Sequence, residues 1–227
     1  MFVKICGMTR QADLDCAREA GCAMAGFIFA GKSPRRIAPA AAARLAAGGM
    51  LRVGVFTQDD AEAILQVMKE ARLDLAQLHG GQSRETAQAI GKDRVLRVLW
   101  PERHAGAASL QAALDEAAEE AAGVLLDAGK SGGGSGLAFD RARLAGLRLP
   151  SLWMLAGGLG PGTPAELAAG ALPLPCGLDF NSGLEEAPGR KSKEAVSRAM
   201  AGLRALGLGP DPLPPALAPL ALRRKGF

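Results

Sequence analysis

Five side chains able to move a proton or grip an anion stand at the ends of short apolar runs or in the loops behind them: Cys6, Arg35, His79, Asp127 and Asp179. A thiolate can accept a proton, a carboxyl kept neutral can donate one, an imidazole titrates near neutrality, and a guanidinium fork holds a carboxylate at two points. Each has a plainer explanation when taken alone. A strand cysteine is commonly a small buried hydrophobe, an Asp after a strand a turn or cap residue, and a loop arginine a solvated charge. His79 serves orientation as readily as catalysis, so we assign it substrate contact, and Asp179 likewise.

Glycine-bearing turns accompany these residues. They are Ser-Gly-Gly-Gly-Ser-Gly at 131–136, Ala156-Gly157-Gly158-Leu159-Gly160-Pro161, and Asp179-Phe180-Asn181-Ser182-Gly183-Leu184-Glu185. Glycine lets backbone amides face an anion, and a following helix N-terminus adds partial positive charge. Gly134, Gly136, Gly157, Gly158, Asn181, Ser182 and Gly183 are therefore the candidate phosphate-binding positions.

The elements that must carry this chemistry repeat. Apolar runs recur every 20–30 residues, each followed by a polar turn and an Ala-rich helical stretch, which is the rhythm of βα units. Strands are expected at Phe2–Cys6, Ala25–Phe29, Arg52–Phe56, Leu75–Leu78, Val95–Leu99, Gly123–Asp127, Leu152–Ala156 and Gly177–Phe180. Helices are expected at Asp59–Ala71, opened by a capping Asp, and at Lys191–Leu206. Eight such units in fewer than 210 residues suit an α/β fold that is a single (β/α)8 TIM barrel better than an open sheet. In that architecture the active site lies at the carboxyl ends of the strands, where the five residues fall. The barrel domain spans 1–206, and 207–227 is a Pro-rich tail, whose later Ala-Leu-Arg residues are candidates to pack on the barrel.

In this order, from Phe2 to Leu206, Lys4-Ile5-Cys6-Gly7-Met8-Thr9-Arg10, Ser33-Pro34-Arg35, Gln77-Leu78-His79-Gly80, Leu125-Leu126-Asp127 and the glycine turns resemble the phosphoribosylanthranilate isomerase family. The resemblance implies an Amadori rearrangement of a phosphoribosyl-anthranilate without cofactor or metal. It makes Cys6 the general base, Asp127 the general acid and Arg35 the partner of the anthranilate carboxylate. Those roles require stabilisation of the Cys6 thiolate, which helix N-termini and a cationic intermediate would supply, and a raised pKa for Asp127. Gly160, Arg141 and the tail depart from the family pattern. A related sugar isomerase of histidine synthesis would place Asp where Cys6 stands, and a noncatalytic phosphate-binding barrel would keep only the turns.

A formal net charge of +4 spread along the chain gives no reason to expect a nucleic-acid partner, although Arg223, Arg224 and Lys225 cluster. Every apolar stretch is interrupted before the ~18 residues that a span requires, so no membrane partner is expected. No secretory signal is recognised at the N-terminus. Cys6, Cys16, Cys22 and Cys176 lack metal-pair spacing and are expected as free thiols of a cytoplasmic protein. The expected partner is a small-molecule substrate, and the expected state a monomer, with a homodimer as the alternative.

Overall fold

The computed structural model describes residues 1–128, 141–170 and 173–222. Eight parallel strands close into a barrel in chain order. They are β1 (Phe2–Ile5), β2 (Met24–Ile28), β3 (Leu51–Phe56), β4 (Leu75–Leu78), β5 (Val95–Leu99), β6 (Gly123–Asp127), β7 (Trp153–Ala156) and β8 (Gly177–Phe180). The seam is β1 on β8, with Phe2 opposite Gly177 and Ile5 opposite Phe180. Around the barrel lie α1 (Gln11–Glu19), α2 (Pro39–Arg44), α3 (Ala61–Glu70), α4 (Arg84–Ile90), α5 (Ala107–Glu120), α6 (Thr163–Ala169) and α7 (Lys193–Ala205).

These strands are short because both of their faces must be covered. Alternate residues turn to opposite sides, so Val3 and Ile5 pack among the helices while Phe2 joins an interior layer with Met24, Leu51, Leu75, Leu96 and Leu125. Phe2 fills the barrel so tightly that a Cβ on Gly177 would lie 2.4 Å from its ring. Burying a side chain of this size contributes about 1.5–3 kcal/mol. Arg52, on the outer face of β3, donates to the carbonyls of Ala42, Leu45 and Ala71, taking up acceptors that the ends of α2 and α3 leave open.

Several strand and helix ends shift by a residue from expectation, and three differences have a physical cause. The helix after β3 is capped by Asp60 rather than Asp59, its carboxylate accepting from Ala63 N at 2.9 Å. Lys191 is not helical. It sits in a hairpin of β9 (Glu185–Ala187) and β10 (Arg190–Lys191), and Ser192 caps α7, because the Lys191 ammonium is drawn inward to Asn181 and Glu185. The Pro-rich segment does end in a short helix, α8 (Ala218–Leu222), and Leu213, Leu217 and Leu220 join the interior layer at the amino ends of the strands. Asp211 reaches the Met1 ammonium, pinning that segment beside β1.

Candidate functional site

The residues facing inward change character from one end of the barrel to the other. On β1 the inward series runs Phe2, Lys4, Cys6; on β4 Leu75, Gln77, His79; on β6 Leu125, Asp127; on β8 Gly177, Asp179, Asn181. The period of two thus stacks polar groups above an apolar floor. They open into one cavity lined by Cys6, Arg35, His79, Asp127, Asp179 and Asn181, with Ser33, Gly157, Gly158 and Ser182 on its walls.

Cys6 extends the β1 to β8 pairing, its N donating to Phe180 O at 2.8 Å. Gly26 on β2 leaves it room, since a Cβ there would lie 2.8 Å from the sulfur. Gly7, with φ +77°, carries the chain under Asn181 and Arg35, where a Cβ would come within 2.8 Å of the Asn181 Oδ1 and 2.9 Å of the Arg35 side chain. Burial pushes the Cys6 thiol up, and the ammonium groups of Lys4 and Lys191 pull it back without cancelling the effect. The nearby cations are thus lysines, where the sequence suggested helix termini.

Lys4 is wholly enclosed, its Nζ donates to Asp179 Oδ2 at 2.7 Å, and its charge acts on Cys6, two residues on along the same face of β1. Burial opposes its charge, yet Asp179 and Cys6 more than reverse that effect, so Lys4 is held as an ammonium. Burial also pushes the Asp179 carboxyl up, against the pull of Lys4. Its second oxygen, Oδ1, is buried with no hydrogen-bond partner among the described residues.

Asp127 closes β6. A Cβ on Gly157, whose φ is +90°, would fall 2.6 Å from its Oδ1, so glycine there clears space for the carboxyl. His79 Nε2 lies 3.4 Å from Asp127 Oδ2. Gln77 Nε2 meets His79 Nδ1 at 3.2 Å, and with the amide as donor there the imidazole carries its proton on the nitrogen facing Asp127. The ring stands edge-on to Trp100, centroids 5.2 Å apart. Burial, with Lys4 nearby, lowers the His79 pKa to about 4, leaving it neutral at pH 7.

Arg35 is held from below by Glu185, its Nε at 2.9 Å and Nη2 at 2.7 Å from Oε2. Lys191 donates to the same carboxylate at 2.7 Å and to Asn181 Oδ1 at 3.0 Å. Burial alone would raise Glu185, but the two cations outweigh it and keep the carboxylate ionised. The turns after β7 and β8 touch at Gly183, where a Cβ would meet Leu159 O at 2.1 Å. Gly183 therefore joins the turns and is not on the cavity wall, whereas Gly157, Gly158, Asn181 and Ser182 are. Gly134 and Gly136 lie outside the described residues.

One cavity thus gathers Cys6, Arg35, His79, Asp127 and Asp179 from across the chain. Sequence reasoning singled out neither Lys4 nor the Glu185 and Lys191 pair. Lys4 had a readable signal: it is a charge inside an apolar strand, two residues before Cys6 and so on the same face. Among the described residues no three His, Cys, Asp or Glu side chains cluster as a metal site would require.

Comparison with known proteins agrees with this geometry. The profile of the family described as N-(5'phosphoribosyl)anthranilate (PRA) isomerase matches residues 3–201. A protein of Desulfovibrio desulfuricans named N-(5'-phosphoribosyl)anthranilate isomerase is 50% identical over 203 residues, covering 88% of this chain and 94% of the relative. The crystal structure of phosphoribosyl anthranilate isomerase from Thermus thermophilus superimposes with a TM-score of 0.75 at 38% identity, over 91% of this chain and 100% of that one. A phosphoribosyl anthranilate isomerase in complex with reduced 1-(o-carboxyphenylamino)-1-deoxyribulose 5-phosphate superimposes with a TM-score of 0.74 at 28% identity, with the same coverage of 91% and 100%.

Proposed function

The chain belongs to the N-(5'-phosphoribosyl)anthranilate isomerase family, and from that membership we propose that it converts N-(5'-phosphoribosyl)anthranilate to 1-(2-carboxyphenylamino)-1-deoxyribulose 5-phosphate, a step of tryptophan synthesis. The observation that carries the reading is that a thiol and a carboxyl, from β1 and β6, line one cavity with an arginine and paired glycine turns.

Asp127, as the carboxylic acid, donates its proton to the furanose ring oxygen. The C1'–O bond breaks as the aryl nitrogen lone pair forms an iminium. The Cys6 thiolate takes the C2' proton, and the electrons of that C–H bond form the C1'=C2' double bond and neutralise the iminium. The enolamine becomes the ketone when a proton leaves the 2'-hydroxyl and another reaches C1'. His79, neutral and carrying hydrogen on the nitrogen that faces Asp127, favours the carboxylate that remains after proton donation. Arg35 binds the anthranilate carboxylate while Glu185 fixes its fork. The unpartnered Oδ1 of Asp179 is available to a substrate hydroxyl. The phosphate lies against Gly157, Gly158, Asn181 and Ser182, with Gly183 setting the spacing of the turns.

Every side chain named comes from one copy, so a monomer suffices for the chemistry. The four free thiols suit the cytoplasm.

Turnover of synthetic N-(5'-phosphoribosyl)anthranilate tests the reading. Cys6→Ala and Asp127→Asn should each lower kcat by about 10²–10⁴-fold, and Arg35→Ala should act chiefly by raising KM. Near-normal turnover in either of the first two overturns the division of labour.

A further inference from the structure

Cys6 must be ionised to act as a base, yet it stands in a place that resists ionisation. The groups that face it settle how this is resolved. Lys4 approaches from the same strand, Asp179 from β8, Lys191 from β10, and His79 and Asp127 stand across the cavity. The Asp179 carboxylate opposes a thiolate, Asp127 acts as the neutral acid, and His79 is neutral. Of the two lysines, Lys191 directs its three N–H groups to Asn181 O, Asn181 Oδ1 and Glu185 Oε1. Lys4 has one donor on Asp179 and shares the inward face of β1 with Cys6, whose sulfur feels its charge more than any other.

We propose that Lys4, anchored by Asp179, is the positioning residue that stabilises the Cys6 thiolate against burial and so lets Cys6 act as a base. The proposal rests on the isomerase reading and adds to it a counter-ion for the base. The ammonium is one positive charge acting on two anions, the thiolate and the Asp179 carboxylate. When the thiolate takes the C2' proton, the S–H bond forms, the sulfur loses its charge, and Lys4 is left paired with Asp179 alone. Lys4 keeps all its protons and touches no substrate atom. Its place is fixed by geometry: full enclosure forbids it any solvent partner, and from the inward position below Cys6 on β1 it meets Asp179, which lines the same cavity as Cys6, at 2.7 Å.

Alkylation of Cys6 by iodoacetamide as a function of pH, read by mass spectrometry of the Cys6 peptide, measures thiolate directly and needs no substrate. Lys4→Met should move the midpoint upward by one unit or more, equal to a tenfold or greater loss of thiolate near neutrality. The ascending limb of kcat/KM against pH should shift by the same amount, with KM little changed. Lys4→Arg, which retains the charge, should keep the midpoint near that of the wild type. Should Lys4→Met fold poorly, Lys4→Met with Asp179→Asn removes both charges together. Its midpoint should still lie above wild type, because Lys4 acts on the sulfur more strongly than Asp179 does. An unmoved midpoint in folded variants overturns the role of Lys4. A moved midpoint in a protein that never turned over N-(5'-phosphoribosyl)anthranilate would overturn the isomerase reading instead.

Discussion

Two of the ion pairs sealed inside this molecule differ in what surrounds them. Lys4 and Asp179 meet at 2.7 Å inside the barrel, with side chains 0% and 6% exposed. Arg97 and Glu120 meet at 2.6 Å between the barrel and its helices, with side chains 8% and 6% exposed. Arg97 also donates to Gln82 O and Ser83 O, so it clamps the start of α4 and the end of α5 to β5. Lys4 instead lends its charge to a thiol on the cavity wall. Burial of a charge therefore does not distinguish a site from a scaffold. The remaining donors do: toward backbone they fix structure, and toward a titratable side chain they set its protonation.

This contrast can be broken by mutation. Arg97→Met should cost the most stability, about 3–5 kcal/mol, because it strands the Glu120 carboxylate in the layer between strand and helix. Arg97→Met with Glu120→Leu should recover most of that loss. Chemical denaturation measures both, and kcat of the folded fraction should stay near normal. A large kcat loss would move Arg97 into the functional class.

The next effect concerns pH. The His79 pKa is near 4 in the folded chain, against ~6.5 when unfolded, so the unfolded chain binds the extra proton first on acidification. His79 thus lets full stability stand above pH ~6.5 and removes it progressively as pH falls toward 4, by about 3 kcal/mol in total. His79→Gln should flatten that part of the stability profile, and an unchanged slope between pH 6.5 and 4 would contradict the buried neutral imidazole. The smallest effect belongs to an exposed pair. Arg84 and Glu119 meet at 2.8 Å with side chains 44% and 64% exposed, and Arg84→Ala should change stability by no more than about 0.5 kcal/mol.

Much of this arrangement is legible in the sequence because strand ends are marked locally. The apolar runs locate all eight strands to within a residue or so, and the barrel rule then brings Cys6, His79, Asp127 and Asp179 to one end. Partnerships between distant residues are not marked. Arg35 meets Glu185 across 150 positions, and Lys4 meets Asp179 across 175, through a closure that no local pattern encodes. The same limit explains Lys191. Its helical sequence context was outweighed by a carboxylate and an amide that exist only once the β8 turn is in place. The last segment was read as a tail from its prolines, which speak for backbone conformation but not for where Leu217 comes to rest.

That resting place bears on how the chain matures. Leu217 is fully buried against the same interior layer as Phe2, yet a ribosome makes it long after Phe2 and after the eighth strand. The lower opening of the barrel therefore stays wet through most of synthesis, and a nascent chain carrying every strand still exposes an apolar ring to water. Closure comes late and across the longest separation in the sequence, which slows the final step and makes the preceding species prone to association. The segment after α7 thus acts in biogenesis as a stopper, drying the floor of a barrel whose reactive end is already assembled.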